Sequence, residues 1–323
     1  MVTDSKFYMN LALVEAWKYQ GLTYPNPAVG CVVVGNNGEI LAIEAHQKAG
    51  TPHAEVMALK SAFYKLTNNK EILSLIISSD IHNFLLQNHN DIFKESIIYT
   101  TLEPCAHIGK TPSCASLISK LAIKKLFVGS LDSNKIASNG NKIVEESGVE
   151  IITGLLKKEC DELLEPFKKW QSDKFVFFKM AQRLDGSTDG VVSSLESRKN
   201  VHAMRDVCDL LVIGGNTVRV DRPTLDARLI DGKAPDILIL SREINFDKTI
   251  PLFNVSDRKV FIENNFKRLD NYNNIMVEGT KNMLELSKPY VDYYLTYLAT
   301  TMDILNIQKD TKDIIIWMKK EEI

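Results

Sequence analysis

Apolar residues change their spacing several times along the first half of the chain, and these changes predict an α/β domain. Between Asp4 and Tyr19 they recur at helical spacing, whereas Ala28 to Val34 is an unbroken, β-branched run typical of a buried strand. Asn36-Asn37-Gly38 then predicts a hairpin turn. The other elements predicted here are strands at 39–45, 95–101, 125–129 and 149–153, and helices that begin at residues 53 and 114. This order predicts a mixed sheet covered by helices.

The second half alternates in the same way, which predicts a second α/β domain. An amphipathic helix at 159–169 leads into a strand at 175–180. The later predicted elements are helices at 194–207 and 279–287, and strands at 210–213, 236–240, 259–263, 275–278, 291–299 and 314–318. We place the domain change within residues 147–173 and divide the chain into residues 1–147 and 148–323.

Composition limits the function classes. The 323 residues are 45% hydrophobic and 25% charged, which is ordinary for a globular chain, and the net charge of −2 gives no general reason to expect nucleic acid. Charged residues interrupt the apolar positions of the first 20 residues, so a signal peptide is not expected, and no apolar run is long enough to span a bilayer. Five thinly spread cysteines argue against a disulfide framework and for the reducing cytoplasm.

Two short motifs carry the candidate chemistry. His53-Ala54-Glu55 and the pair Cys105 and Cys114 supply one imidazole, one carboxylate and two thiols. These are the parts of a zinc site with three protein ligands and one open position for water, with the carboxylate left to move a proton. On a helix His53 and Glu55 point roughly 200° apart, so they share a site only if they lie in its first turn.

Electrostatics explain why Glu55 is needed. Helix N-termini at His53 and Cys114 favour thiolates, and two thiolates with a neutral imidazole leave zinc formally neutral. Its water is then less acidic than on three imidazoles, so a nearby base matters. We expect Glu55 to take the water's proton and pass it to a leaving amine, which is hydrolytic deamination. The alternatives are a closed zinc site or two unrelated buried cysteines.

Longer motifs resemble the bifunctional deaminase–reductase family of riboflavin biosynthesis. The matching stretches read P-N-P-A-V-G-C-V-V-V at 25–34, H-x-x-A-G-x-x-H-A-E at 46–55 and T-L-E-P-C-x-H-x-G-K-T-P-x-C at 101–114. The resemblance implies a cytidine-deaminase-like three-layer α/β/α domain. It implies zinc on His53, Cys105 and Cys114, with Glu55 as proton shuttle. It also implies substrate contacts at Asn26, His46, His107 and Lys110.

The second half is similar to the reductase domain of the same family. The similar stretches are K-M-A-Q-R-L-D-G at 179–186, V-H-A-M-R at 201–205, G-x-x-T-V-x-x-D-x-P-x-L-x-x-R at 214–228 and V-E-G at 277–279. The resemblance implies a dihydrofolate-reductase-like α/β domain that uses NADPH. The implied cofactor-binding residues are Ala181, Thr217, Asp221, Ser241 and Gly279. The implied substrate-binding residues are Arg205, Leu225, Arg228 and Glu278.

This chain departs from the family pattern at several places. Val191 stands where the family has tryptophan, Arg222 where it has aspartate and Thr280 where it has glycine. All three fall on the expected cofactor groove, so we expect its geometry or the rate of reduction to differ. The segment 61–94 is longer than in the family and is interpreted as an extra helical insertion on the surface, without an assigned function.

The leading hypothesis is a two-step enzyme. It deaminates 2,5-diamino-6-(5-phosphoribosylamino)pyrimidin-4(3H)-one to 5-amino-6-(5-phosphoribosylamino)uracil and then reduces the ribosyl to the ribityl side chain with NADPH. Three alternatives stay open: a deaminase of a free nucleoside or RNA base, a non-catalytic zinc protein with a nucleotide-binding second domain, and a deaminase with a weak or inactive reductase half. We expect a small-molecule substrate, no nucleic acid, no membrane and a cytoplasmic homo-oligomer.

Overall fold

The computed structural model describes residues 4–107, 109, 111–132, 139–188, 190, 192–299 and 313–320. The chain forms two compact units, residues 1–167 and 168–323. Each unit holds one mixed sheet with helices, so the predicted α/β class is confirmed. The division drawn from the sequence at residue 147 precedes that of the compact units because the helix at Lys157–Ser172 contributes Cys160 and Leu163 to an apolar core of the first unit.

The first unit is built on a five-stranded sheet in the order β2-β1-β3-β4-β5. The pairs β1–β2 and β1–β3 are antiparallel, whereas β3–β4 and β4–β5 are parallel. Its helices are α1 (Ser5–Trp17), α2 (Ala54–Thr67), α3 (Ser78–Asn88), α4 (Cys114–Lys120), α5 (Gly140–Glu145) and α6 (Lys157–Ser172), with a 3-10 turn at Lys70–Ser74. Its strands are β1 (Gly30–Val34), β2 (Ile40–Ala45), β3 (Ile97–Leu102), β4 (Lys125–Ser130) and β5 (Glu150–Thr153).

Successive strand residues point to opposite faces, so the sheet has an apolar core on each side. Val32 and Tyr99 pack with residues of α1, including Met9 and Ala12, in one cluster. Val33 and Ile98, together with residues of α2 and α4, belong to the other. The three layers predicted for this half are therefore present, and the metal-ligand motifs lie on the helices of the second face.

The segment 61–94 is not a surface appendage, which corrects the expectation from the sequence. Ile72, Ile81, Leu85 and Phe93 are fully buried in the same cluster as α2 and α4. Burying four large apolar side chains stabilises by about 1.5–3 kcal/mol each. The segment is helical, as expected, but it completes the core that carries the ligand helices.

The second unit is a seven-stranded sheet in the order β12-β11-β6-β10-β7-β8-β9. Among the described strand pairs of this second sheet, β11–β12 is antiparallel and the others are parallel. The strands are β6 (Phe175–Arg183), β7 (Leu210–Gly214), β8 (Asp236–Leu240), β9 (Val260–Glu263), β10 (Asn274–Glu278), β11 (Tyr293–Ala299) and β12 (Ile314–Lys319). The helices are α7 (Leu195–Val207), α8 (Gly215–Asp221) and α9 (Lys281–Ser287), with 3-10 turns at Arg228–Ile230, Pro251–Asn254 and Lys267–Asn271.

The strand order creates a crevice at the carboxyl ends of β7 and β10. The connections that follow these neighbouring strands lead toward opposite edges of the sheet. The chain passes from β7 through α8 to β8, and from β10 through α9 to β11. In open α/β sheets, ligands bind outside the carboxyl ends of strands where the connections diverge in this way. The topology therefore places a ligand crevice beside the glycines that follow β7 and β10.

Candidate active sites

Two helix starts and one strand end bring the predicted metal ligands together. His53 is the N-cap residue of α2 and Cys114 is the first residue of α4, whose N-cap Ser113 accepts a hydrogen bond from the N–H of Ser116. Cys105 follows β3. The three ligand atoms lie within 4.8 Å of one another. His53 and Cys114 therefore lie at helix N-termini, and Glu55 in the first turn of α2, as predicted.

The ligand spacing fits zinc. Nδ1 of His53 lies 3.6 Å from Sγ of Cys105 and 3.4 Å from Sγ of Cys114. A tetrahedral zinc with bonds of about 2.3 Å to sulfur and about 2.0–2.1 Å to nitrogen would separate these atoms by about 3.6 Å. The side chains are thus already arranged for a metal with three protein ligands. This cluster is the one group of three or more potential ligands found among the described residues.

Glu55 lies in the first turn of α2 and is 4% exposed. Burial raises its pKa to about 7, while the nearby His53 opposes the rise and the Cys105 thiolate adds to it. A carboxyl group with a pKa near neutrality can both accept and release a proton at physiological pH. A cation held by the neighbouring ligands would lower this pKa, because it favours the charged form.

Without a cation, the two cysteine ligands share a proton. A hydrogen bond from Cys114 lowers the pKa of Cys105, and the same bond raises that of Cys114. The N–H of Cys114 also points to Sγ of Cys105 at 3.4 Å. The arrangement stabilises a thiolate at Cys105, and metal binding would release the proton that Cys114 retains.

His46 is held in one tautomer beside the metal ligands. Its Nδ1 donates to the carbonyl of Pro52 at 3.2 Å, so its Nε2 can accept from Nδ2 of Asn26 at 3.1 Å. Burial lowers the pKa of His46 to about 4, so the ring is neutral. The predicted substrate residues Asn26 and His46 therefore meet in space, and His46 also fixes the peptide that precedes His53.

The other two predicted substrate residues in this half are less defined. His107 follows Cys105 closely, and its Nδ1 is buried without a hydrogen-bond partner in the described part of the chain. Lys110 lies outside the described residues.

Thr111 is a residue of this site that the sequence analysis did not single out. Its Oγ1 lies 3.3 Å from Nε2 of His53, the ring nitrogen that does not face the cysteines. A partner on the second nitrogen fixes the orientation of a metal-binding imidazole. The only sequence signal was its position three residues before Cys114.

In the second unit, three of the predicted cofactor residues lie at the crevice. Ser241 directly follows β8, Gly279 directly follows β10, and Thr217 is in the first turn of α8 after β7. A Cβ atom at Gly279 would come within 2.4 Å of Cβ of Met283, and one at Gly215 would come within 2.7 Å of the side chain of Ser241. These close approaches require glycine at both positions.

Two cofactor residues lie further from this point. Ala181 is in β6, opposite Tyr297 of β11, and Asp221 is the exposed last residue of α8. Ala181 lies in the carboxyl half of β6, whereas Asp221 lies at the opposite end of α8 from Thr217.

Arg205 and Glu278, two of the implied substrate-binding residues, form a closed pair with each other. Nε and Nη2 of Arg205 donate to the two carboxylate oxygens of Glu278, each at 3.0 Å, and both side chains are 12% exposed. Burial alone would raise the pKa of Glu278, but Arg205 and Lys179 hold it below its usual value. The two charges of the pair are therefore held in place. Lys179 also lies near Glu278, and burial lowers its pKa. No role for Lys179 was predicted from the sequence.

Arg228 is the exposed cation of the predicted substrate set. Its Nη1 contacts Oδ1 of Asp226 at 2.7 Å, but its side chain is 61% exposed. Leu225 is buried and has a φ of 56°, a left-handed conformation unusual for leucine. Arg228 can therefore meet an anion from solvent, whereas Leu225 can contribute mainly its backbone.

Two of the three departures from the family pattern can be located. Arg222 has a φ of 45° and donates to Asp247 and Thr249 at 2.7 and 2.6 Å. Thr280 has φ −109° and ψ −167°, an extended conformation that does not need glycine. Val191 lies outside the described residues.

Comparison with known proteins identifies the family. Family models match residues 2–130, as a cytidine and deoxycytidylate deaminase zinc-binding region, and residues 174–300, as a RibD C-terminal domain. The riboflavin biosynthesis protein RibD of Aquifex aeolicus is 34% identical over 80% of this chain and 67% of its own length. This chain belongs to the RibD family. The predicted resemblance is thereby confirmed.

A solved RibD-type structure supports both halves together. The diaminohydroxyphosphoribosylaminopyrimidine deaminase/5-amino-6-(5-phosphoribosylamino)uracil reductase of Thermotoga maritima is 25% identical, with a TM-score of 0.63 over 97% of this chain and 98% of that one. The RibD proteins of Bacillus amyloliquefaciens and Actinobacillus pleuropneumoniae are 33% and 32% identical, and the matches span 61% and 58% of their lengths. The RibD fold of two domains is thus present across the chain.

The expected cofactors are those of the RibD family. The first domain is a zinc-binding deaminase domain with a His/Cys/Cys site, and the C-terminal domain is of the NADPH-dependent reductase type. Within the described residues, no helix is long and apolar enough to cross a membrane.

Proposed function

We propose that this protein is a bifunctional enzyme of riboflavin biosynthesis. Its first half would deaminate 2,5-diamino-6-(5-phosphoribosylamino)pyrimidin-4(3H)-one, and its second half would reduce the ribosyl side chain of the product. The observation that carries the proposal is the triad of His53, Cys105 and Cys114 with the buried carboxyl group of Glu55 beside it. Ring deamination by water needs this combination of a three-ligand metal site and a proton carrier.

In the deaminase step, zinc held by the triad supplies the activation of water. Glu55 accepts the proton of the attacking water and delivers it to the departing amino group, a role that its buried position beside the three ligands allows. The neutral ring of His46 holds the Pro52 carbonyl, which keeps the turn before His53 in place. Asn26, His46, His107 and Lys110 are assigned to the substrate by the family motif.

In the reductase step, NADPH supplies the hydride. The chain contributes the crevice at the carboxyl ends of β7, β8 and β10, with Ala181, Thr217, Asp221, Ser241 and Gly279 assigned to the cofactor. Arg205 and Glu278 hold each other in position, and Arg228 presents its guanidinium to an anionic group of the substrate.

A direct test measures three quantities on one preparation: bound zinc, ammonia release and NADPH oxidation with the phosphoribosylamino substrate. We expect about one zinc per chain, ammonia release without NADPH, and NADPH oxidation that depends on prior deamination. Ammonia release without any NADPH oxidation would favour a deaminase with an inactive reductase half. Equal activity on an unphosphorylated nucleoside would overturn the proposed substrate.

Further properties belong to the same proposal. We assign the deaminase to residues 1–147 and the reductase to residues 148–323, and we expect a cytoplasmic homo-oligomer that does not bind nucleic acid. The oligomer can be tested by sedimentation, and the domain assignment by expressing the halves with either boundary, after residue 147 or after residue 167.

A further inference from the structure

The segment 223–227, which connects α8 to the 3-10 turn at Arg228–Ile230, is held by its carbonyl groups. The carbonyls of four consecutive residues all accept hydrogen bonds from other parts of the second unit. The donors are N–H of Leu252 to Pro223 at 3.1 Å, Arg258 to Thr224 and Leu225, and Nη1 of Arg205 to Asp226 at 3.3 Å.

Arg258 makes the largest contribution. Its Nη1 donates to the carbonyl of Leu225 at 2.8 Å, and its Nη2 donates to that of Thr224 at 2.5 Å. Nη2 and Nε also donate to the carbonyl of Leu252, at 2.7 and 3.2 Å. Burial lowers the pKa of Arg258 only to about 10, so the guanidinium stays charged at neutral pH. Its planar fork thus joins two segments that a single ammonium group could not span in the same way.

These contacts orient the N–H groups of the same segment. In a planar trans peptide, the C=O and the following N–H point in opposite directions. Because Arg258 binds the carbonyls of Thr224 and Leu225, the N–H groups of Leu225 and Asp226 point away from it. Neither N–H has an acceptor among the residues that the structure describes. Adjacent free N–H groups in a turn form an anion-binding concavity.

We propose that Arg258 is a positioning residue for substrate binding in the second unit. By holding the Thr224 and Leu225 carbonyls, it presents two backbone N–H groups to the phosphate of the substrate, beside the exposed guanidinium of Arg228. Asp226 pairs with Arg228 at 2.7 Å, so the bound phosphate shares Arg228 with this carboxylate. The inference rests on the proposed function, since it assumes a phosphorylated substrate for the reductase.

The test compares Arg258→Met and Arg258→Lys in the full-length chain. Losing charge-assisted bonds to two carbonyls should raise the KM for the deaminated phosphorylated substrate by about tenfold to a hundredfold. We expect kcat to change far less and NADPH affinity to stay as in the wild type. The KM of Arg258→Lys should lie between those of the wild type and Arg258→Met, because lysine keeps the charge but lacks the planar fork of donors.

Arg268→Met is the matched control. Arg268 is also a half-buried arginine of the same unit; it pairs with Glu263 and stacks 4.1 Å from the ring centroid of Phe261, away from the 223–227 segment. The control should lose packing without changing the KM. Equal rises of KM in Arg258→Met and Arg268→Met, or a parallel loss of NADPH affinity, would show that Arg258 acts only through stability and would overturn the proposal.

A second readout does not depend on reduction. Ribose 5-phosphate is titrated into ¹⁵N-labelled protein, and the amide signals of Leu225 and Asp226 are followed. We expect these signals to shift in the wild type and in Arg268→Met, and not in Arg258→Met. If the wild type does not oxidise NADPH, the proposed function fails while this titration still decides the role of Arg258. If the Leu225 and Asp226 signals shift in none of the proteins, or shift equally in all of them, the proposed role of Arg258 is overturned.

Discussion

Each unit contains a glutamate with little solvent exposure at its candidate site, and the two differ in the direction of their pKa shift. Burial raises the pKa of Glu55 to about 7. Glu278 is similarly withdrawn from solvent, but Arg205 and Lys179 hold its pKa below the usual value. The neighbours, rather than the depth of burial, therefore decide which carboxyl group exchanges a proton.

The comparison separates a reacting group from a fixed one. Glu55 lies beside the three metal ligands, and burial raises its pKa to about 7. Glu278 is a permanent anion whose two oxygens are both engaged by one guanidinium. Four measurements test this contrast.

Replacing Glu55 by glutamine should have the largest effect. Without a proton carrier, ammonia release should fall by about 10²–10⁴-fold, the usual contribution of general acid–base catalysis. Zinc content, measured by elemental analysis, should not change, because the three ligands remain. Glu278→Gln is the control and should leave ammonia release unaltered. A Glu55→Gln variant with wild-type ammonia release would remove the proposed role.

Replacing Arg205 by methionine should destabilise the second unit. It leaves the buried anion of Glu278 without its bidentate partner, which should lower the free energy of unfolding by about 3–5 kcal/mol. Arg228→Met, at an exposed pair, should cost less than about 1 kcal/mol. Urea unfolding followed by tryptophan fluorescence checks both values. Similar losses in the two variants would contradict the description of Arg205–Glu278 as a closed, buried pair.

His46 should make the stability of the first unit depend on pH. Its folded pKa of about 4 lies below the usual 6.5, so the folded protein binds fewer protons in this window. The free energy of unfolding is therefore highest above pH 6.5 and decreases as the pH falls toward 4, by up to about 3 kcal/mol. Because Glu55 titrates with the opposite sign, the test compares His46→Gln with its parent in a Glu55→Gln background. A pH slope that survives the histidine replacement would assign it to another group.

Replacing Thr111 by valine should have the smallest effect of the four. Removing the group beside Nε2 of His53 should weaken zinc binding by about 10–100-fold without removing a ligand. Competition with a chelator measures this affinity, and Thr67→Val, at the far end of α2, is the control. An unchanged affinity would show that the 3.3 Å contact does not orient the imidazole.

Much of the fold followed from the sequence because the periodicities are strong. The unbroken apolar runs at 175–178, 210–213 and 275–277 predict buried strands, and each lies in a paired strand of the second sheet. Local patterns were weaker elsewhere. Helix α8 was not predicted, because it begins with two glycines and contains β-branched valines, and α5 begins at an Asn-Gly pair typical of a turn.

The zinc triad and Glu55 were predictable because their chemistry lies in residue types and short spacings near helix starts. Three contacts were not predictable. Thr111 lies beside His53, Arg205 pairs with Glu278, and Arg258 donates to a segment more than 30 residues away. Such contacts join residues distant in sequence, so no local pattern encodes them. Residue types and local spacing specify which groups are available for reaction. Their partners depend on how distant segments pack, because burial and neighbouring charge set which of these groups can move a proton.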